Sequence, residues 1–68
     1  MKARKSKFII SILEANGFVA LRQKGSHITY GKDGVIVIVP YHGNSKEIPI
    51  GTMLNIIKQS CLDKDLFQ

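Results

Sequence analysis

The spacing of apolar positions changes period twice along the chain. From about Lys7 to Ala15, Phe8, Ile9, Ile12 and Leu13 recur at three- and four-residue intervals, which puts them on one stripe of an α-helix. Ser6 reads as its N-cap, although Ile9 stands where a capping box would carry Glu or Gln, and Gly17 fits the left-handed position just past its end. Three strand-like runs follow. Phe18 to Gln23 and Ser26 to Tyr30 alternate, and Val35 to Val39 is continuously β-branched. Lys24-Gly25 and Gly31-Lys32-Asp33-Gly34 separate them and supply hairpin glycines. Pro40 ends the third run, Tyr41 to Ile48 reads as a loop around Gly43 and Asn44, and a second helix is expected from about Gly51 to Ser60. Met53, Leu54, Ile56, Ile57 and Cys61 form its apolar side, and the residues after Leu62 read as a short tail. The expectation is an α+β fold of one domain over residues 1–68: helix, three antiparallel strands, helix, with both helices on one face of the sheet.

Strand alternation assigns faces. With Lys24-Gly25 as a two-residue turn, Arg22 pairs with His27, Leu21 with Ile28, Ala20 with Thr29 and Val19 with Tyr30. Val19, Leu21, Ile28 and Tyr30 then face the core, joined by Val35, Val37 and Val39 whether the second loop has two or four residues. Arg22, His27 and Thr29 take the opposite, open face. Phe18, Ile36 and Ile38 fall there too, and exposed apolar residues beside polar ones suit a partner surface or a covering loop or tail.

Charge sharpens this picture. The 68-residue chain has a formal net charge of +5. Residues 1–32 carry seven Lys and Arg against Glu14 alone, and residues 33–68 are close to neutral. A field concentrated on the first helix and first hairpin attracts a polyanion. The longest apolar run, Val35 to Val39, is far too short for a membrane span. The basic N-terminus followed by six apolar-rich residues breaks off at Glu14 with helical spacing, so export is not expected. A lone Cys61 forms no internal disulfide and reads as a small core residue near a helix end, which fits a reducing, cytoplasmic setting.

His27 is the first candidate for chemistry. Imidazole exchanges protons near neutral pH, and cutting RNA requires a proton taken from a 2′-hydroxyl, charge stabilised on the phosphorane and a protonated leaving oxygen. Arg22 across the strand and Lys24 in the turn would stabilise that charge. The residues alone leave His27 between this role and that of an ordinary surface histidine. His42, just past the third strand, reads as a candidate helper or as a loop residue with a hydrogen-bonding role. Lys46 and the amides near Gly51 to Met53 could assist a phosphate. Two histidines, one cysteine and scattered carboxylates show no metal-ligand spacing, and neither a metal nor a cofactor is expected.

One set of motifs runs through nearly the whole chain: Gly17-Phe18, Arg22-Gln23-Lys24-Gly25-Ser26-His27, Val39-Pro40-Tyr41-His42-Gly43, Lys46-Glu47-Ile48-Pro49-Ile50-Gly51-Thr52 and Ile57-Lys58-Gln59. In this register the sequence resembles the HicA (YcfA-like) toxin family. The resemblance implies a double-stranded-RNA-binding-domain-like fold and an mRNA interferase whose catalytic histidine follows the Gly-Ser pair, which maps onto His27. The resemblance does not define the other site residues: Arg22, Lys24, Ser26 and Lys46 are expected as phosphate contacts, and His42 as a helper, from charge and strand geometry. It also implies a HicB antitoxin that masks that histidine, so the toxin is expected as a monomer when free and a hetero-oligomer when bound. Phe18, Ile36 and Ile38 are the expected antitoxin contacts, although the family often carries polar residues near positions 36 and 38. The alternative is a non-catalytic RNA-binding module of the same fold, which would bind RNA in a salt-dependent way and leave it whole.

Overall fold

The computed structural model describes residues 2–43 and 46–68. Its elements are β1 (Arg4–Lys5), α1 (Ser6–Ala15), β2 (Val19–Lys24), β3 (His27–Lys32), β4 (Val35–Pro40), β5 (Glu47–Ile48) and α2 (Ile50–Ser60), followed by a 3₁₀ turn (Lys64–Phe67). The central sheet is antiparallel in the order β2-β3-β4, and β1 pairs antiparallel with β5. Both helices supply side chains to the core on one face of the central sheet, the α+β arrangement expected of a double-stranded-RNA-binding-like fold.

Two-residue strands carry almost no periodic signal, so β1 and β5 are not expected from the sequence pattern, which reads residues 41–48 as loop. They form because tertiary partners hold them: the Ser6 amide donates to the Lys46 carbonyl at 3.4 Å, and the Arg4 amide to Met53 Sδ at 3.3 Å. Asn44, expected within that loop, lies outside the described residues.

The start of α1 departs from expectation. Ser6 is the first helical residue rather than its cap, and no side chain caps the helix. Its hydroxyl is buried and donates to the Pro40 carbonyl at 3.0 Å, fastening the helix to the end of β4. The other end follows the Schellman pattern. Gly17, at φ 93°, donates to the Glu14 carbonyl, and the Phe18 amide donates to the Leu13 carbonyl at 3.0 Å. That motif brings the residue after the glycine back against the helix, and Phe18 and Leu13 accordingly share the core.

The core contains Ile9 and Leu13 of α1, Tyr30, Val37 and Val39 of the sheet, and Met53, Ile56 and Ile57 of α2. Phe67, in the segment expected as a tail, is fully buried among them. Cys61, expected in the core, is exposed instead. It ends α2 in the left-handed conformation, φ 61°, which turns its side chain away from the apolar stripe. Burial, and after it the Glu14 carboxylate that accepts from its hydroxyl, raises the Tyr30 phenol above its ordinary range.

Candidate nucleic-acid interface

The hairpin joining β2 and β3 decides what stands beside His27. Lys24 pairs with His27, so the turn is Gly25-Ser26 and not Lys24-Gly25. Only the first turn residue, Gly25, has positive φ (59°), the type II′ pattern. The Lys24-Gly25 alternative, if type I′, would force positive φ onto a lysine. Arg22 consequently faces Thr29, two residues further along β3, and not His27 as the alternation suggests. It remains on the same face, diagonal to His27, at the separation of roughly 7–8 Å that long side chains bridge. Lys24, expected in the turn, is the residue directly opposite His27. Pro40 flanks the histidine on the other side, across from it on β4.

His27, Arg22 and Lys24 are all exposed. Ser26 is half-buried in the turn, and its carbonyl accepts from the Tyr41 amide, which carries the β3–β4 ladder one step past the histidine. His42 is exposed, two residues beyond Pro40. Lys46 is exposed, and its backbone lies beside Ser6. The sheet thus gathers His27, Lys24 and Arg22, places His42 at the end of the neighbouring strand, and reaches Lys46 only through the start of α1.

A bulge divides β2. The register slips by one residue between Ala20 and Arg22, leaving Leu21 as the extra residue. Because a one-residue slip exchanges the two faces, the assignment holds for Arg22 and inverts below it. Phe18, expected on the open face, is buried with 3% of its surface exposed, whereas Val19 and Leu21, expected in the core, are 58% and 56% exposed. Phe18 is therefore withdrawn from any partner surface. The Leu21 side chain lies across the bare backbone of Gly31, where a Cβ would stand 2.7 Å from Leu21 Cδ1 and the exposed leucine would have to shift. Ile36 and Ile38 lie on the open face as expected, at 49% and 47% exposure.

The open face therefore has two zones. Near the Gly25-Ser26 turn it is basic and carries His27. Near the Asp33-Gly34 turn, Val19, Leu21, Gly31 and Ile36 line a shallow apolar hollow. The signal for this second zone lies in Gly17-Phe18, whose Schellman pattern commits the phenylalanine to the core; Gly31, which the sequence pattern reads as the start of a turn, lies inside β3. Among the described residues, no group of three His, Cys, Asp or Glu side chains is placed to hold a metal ion, and no helix is long and apolar enough to cross a membrane.

The fold and this bipartite face define a small α+β protein of double-stranded-RNA-binding-domain-like architecture with a histidine on its uncovered sheet. Comparison with family models narrows the class: the model described as HicA toxin of bacterial toxin-antitoxin matches residues 6–62. The chain belongs to the HicA toxin family. No curated protein matches it.

Proposed function

We propose that this toxin acts in the cytoplasm as an endoribonuclease, with His27 as the proton-transfer residue. The observation that carries this reading is an exposed imidazole on the open face with Lys24 directly opposite and Arg22 diagonal to it, in a chain of a toxin family. His27 takes the proton of a ribose 2′-hydroxyl as its oxygen attacks the adjacent phosphorus. The bond from phosphorus to the 5′-oxygen breaks, and that oxygen gains a proton from His42 or from water. Lys24 and Arg22 hold the non-bridging oxygens as charge grows on them, the role in which preorganised cations count most. Ser26 and Lys46 are further phosphate contacts. This chemistry requires no metal.

The antitoxin belongs on the same face. Ile36 and Ile38 form its apolar contact, with Val19 and Leu21 in the place first given to Phe18. A protein seated there would reach over His27. The toxin is a monomer when free and a hetero-oligomer with its antitoxin.

Cleavage of a single-stranded RNA, followed on a gel in the presence of EDTA, tests the reading. The wild-type toxin should cut, and H27A should cut at least about 10²-fold to 10⁴-fold more slowly with an unchanged melting temperature. Cleavage by H27A at the wild-type rate removes the histidine from the chemistry. Salt-dependent binding by the wild-type chain with intact RNA favours the non-catalytic module instead.

A further inference from the structure

The cations of residues 2–7 play no part in the site described so far. Lys2, Arg4, Lys5 and Lys7 fall within six positions, and Lys46 comes beside them from the far side of β5. Lys2, Lys5, Lys7 and Lys46 are exposed, and Arg4 lies over the Phe8 ring at 4.4 Å. Glu47, opposite Lys5, is the only carboxylate in residues 2–7 and 46–48.

Their location relative to His27 follows from one strand pairing and two hydrogen bonds. His27 faces Pro40 on β4. The Pro40 carbonyl accepts from the Ser6 hydroxyl, and the Ser6 amide donates to the Lys46 carbonyl. Ser6 is flanked by Lys5 and Lys7. Passing across the strands, the order is therefore Lys24, His27, Pro40, then the Lys5, Lys7 and Lys46 group. The histidine has cations on both sides. β2 and β4 are roughly 10 Å apart, and the second group lies beyond β4 on the side of Ser6.

We propose that Lys5 and Lys7, with Lys46, form a second phosphate-binding segment, so that an RNA strand crosses the sheet at right angles to the strands and is gripped on both sides of the bond at His27. The inference rests on the RNA reading of that site. It differs in assigning substrate contact to the start of α1, which the hairpin chemistry does not require. Two grips hold the scissile phosphate in place more firmly than one, because the chain cannot pivot about the Lys24 and Arg22 contact. A strand long enough to reach both groups gains from the arrangement, and one that ends at the histidine does not.

The test is RNA binding over a range of salt concentrations in the H27A background, where cleavage does not interfere. Each single-strand phosphate contact contributes about 0.7 to the slope of log affinity against log salt. K5E/K7E should lower that slope by about 1.4 on a twelve-nucleotide RNA and leave it unchanged on a dinucleotide. K58E/K64E makes the same change in net charge on exposed residues of α2 and the 3₁₀ turn, and should leave the slope at its starting value. With His27 present, K5E/K7E should lower kcat/KM on the long RNA and leave it unchanged on a dinucleotide. K5Q/K7Q, which keeps polarity without reversing charge, should lower the slope equally and guards against misfolding of the reversed variant. An unchanged slope in both Lys5/Lys7 variants overturns the segment, as does an equal fall in K58E/K64E. Weaker antitoxin binding with an unchanged RNA slope also overturns it and assigns the patch to the protein partner. Wild-type toxin that leaves RNA whole refutes the cleavage reading alone, since the slope still decides this one.

Discussion

The two faces of the central sheet are built from similar amino acids and behave oppositely. Under the helices, Val37, Val39 and Tyr30 meet Ile9, Leu13, Met53 and Phe67 and lose nearly all contact with water. On the other side Val19, Leu21, Ile36 and Ile38 stay about half exposed beside Arg22, Lys24 and His27. β4 alone supplies both, with valine inward and isoleucine outward at every step. Hydrophobicity by itself therefore does not separate what holds this domain together from what it presents to others. In so small a domain the covered face has little surplus, since only about 60% of the unfolded surface is buried, and apolar surface left uncovered points to recognition.

The largest effect that separates the faces is expected at Phe67. Replacing it by Ala should cost about 3–5 kcal/mol, most of the stability available to a chain of this size, as read by urea denaturation. A loss under about 1 kcal/mol would mean that the terminal turn is not part of the covered core. On the opposite face, I36S/I38S should lower antitoxin affinity about tenfold to a hundredfold while denaturation moves by less than about 1 kcal/mol. The reverse pattern, lost stability with retained antitoxin binding, would erase the distinction between the faces.

A smaller gain is expected at the end of α2. Cys61→Gly relieves a left-handed conformation in a residue with a side chain and should raise stability by about 0.5–1 kcal/mol, seen as a higher melting temperature. The smallest effect concerns pH. Because the folded state holds the Tyr30 proton more tightly, the unfolded chain releases it first, and stability should fall as pH climbs above about 10. Y30F should flatten that fall, and an unchanged alkaline limb would place the cause elsewhere.

Much of this was legible in the residues. Helical spacing at Phe8 to Leu13 and the β-branched run at Val35 to Val39 identify their elements because each has enough repeats to average out context. His27, Ile36 and Ile38 were placed on the correct face because alternation is reliable within an uninterrupted ladder. It failed where the ladder was interrupted. The bulge leaves Leu21 without a partner on β3, and local alternation contains no term for an extra residue. Strand alternation puts Phe18 on the open face, but the helix end already commits that residue to the core. β1, β5 and the burial of Phe67 arise from tertiary contacts, which a short segment does not announce. Alternation sets Arg22 against His27 instead of Thr29, two residues away, because it sets the turn one residue early.

The two outer rims of the sheet are unequal. On β4, Gln59 accepts from the Ile38 amide at 3.3 Å, Pro40 has no amide to offer, and Ser6 occupies its carbonyl. β2 has a sheet neighbour on β3 alone. An extended segment from another molecule could add itself to the β2 rim, but a stack of such additions needs a receptive rim on each side of every member. Growth by edge pairing is therefore expected to stop at the first addition, which leaves a toxin with an uncovered apolar sheet less exposed to fibre formation than its surface composition alone would suggest.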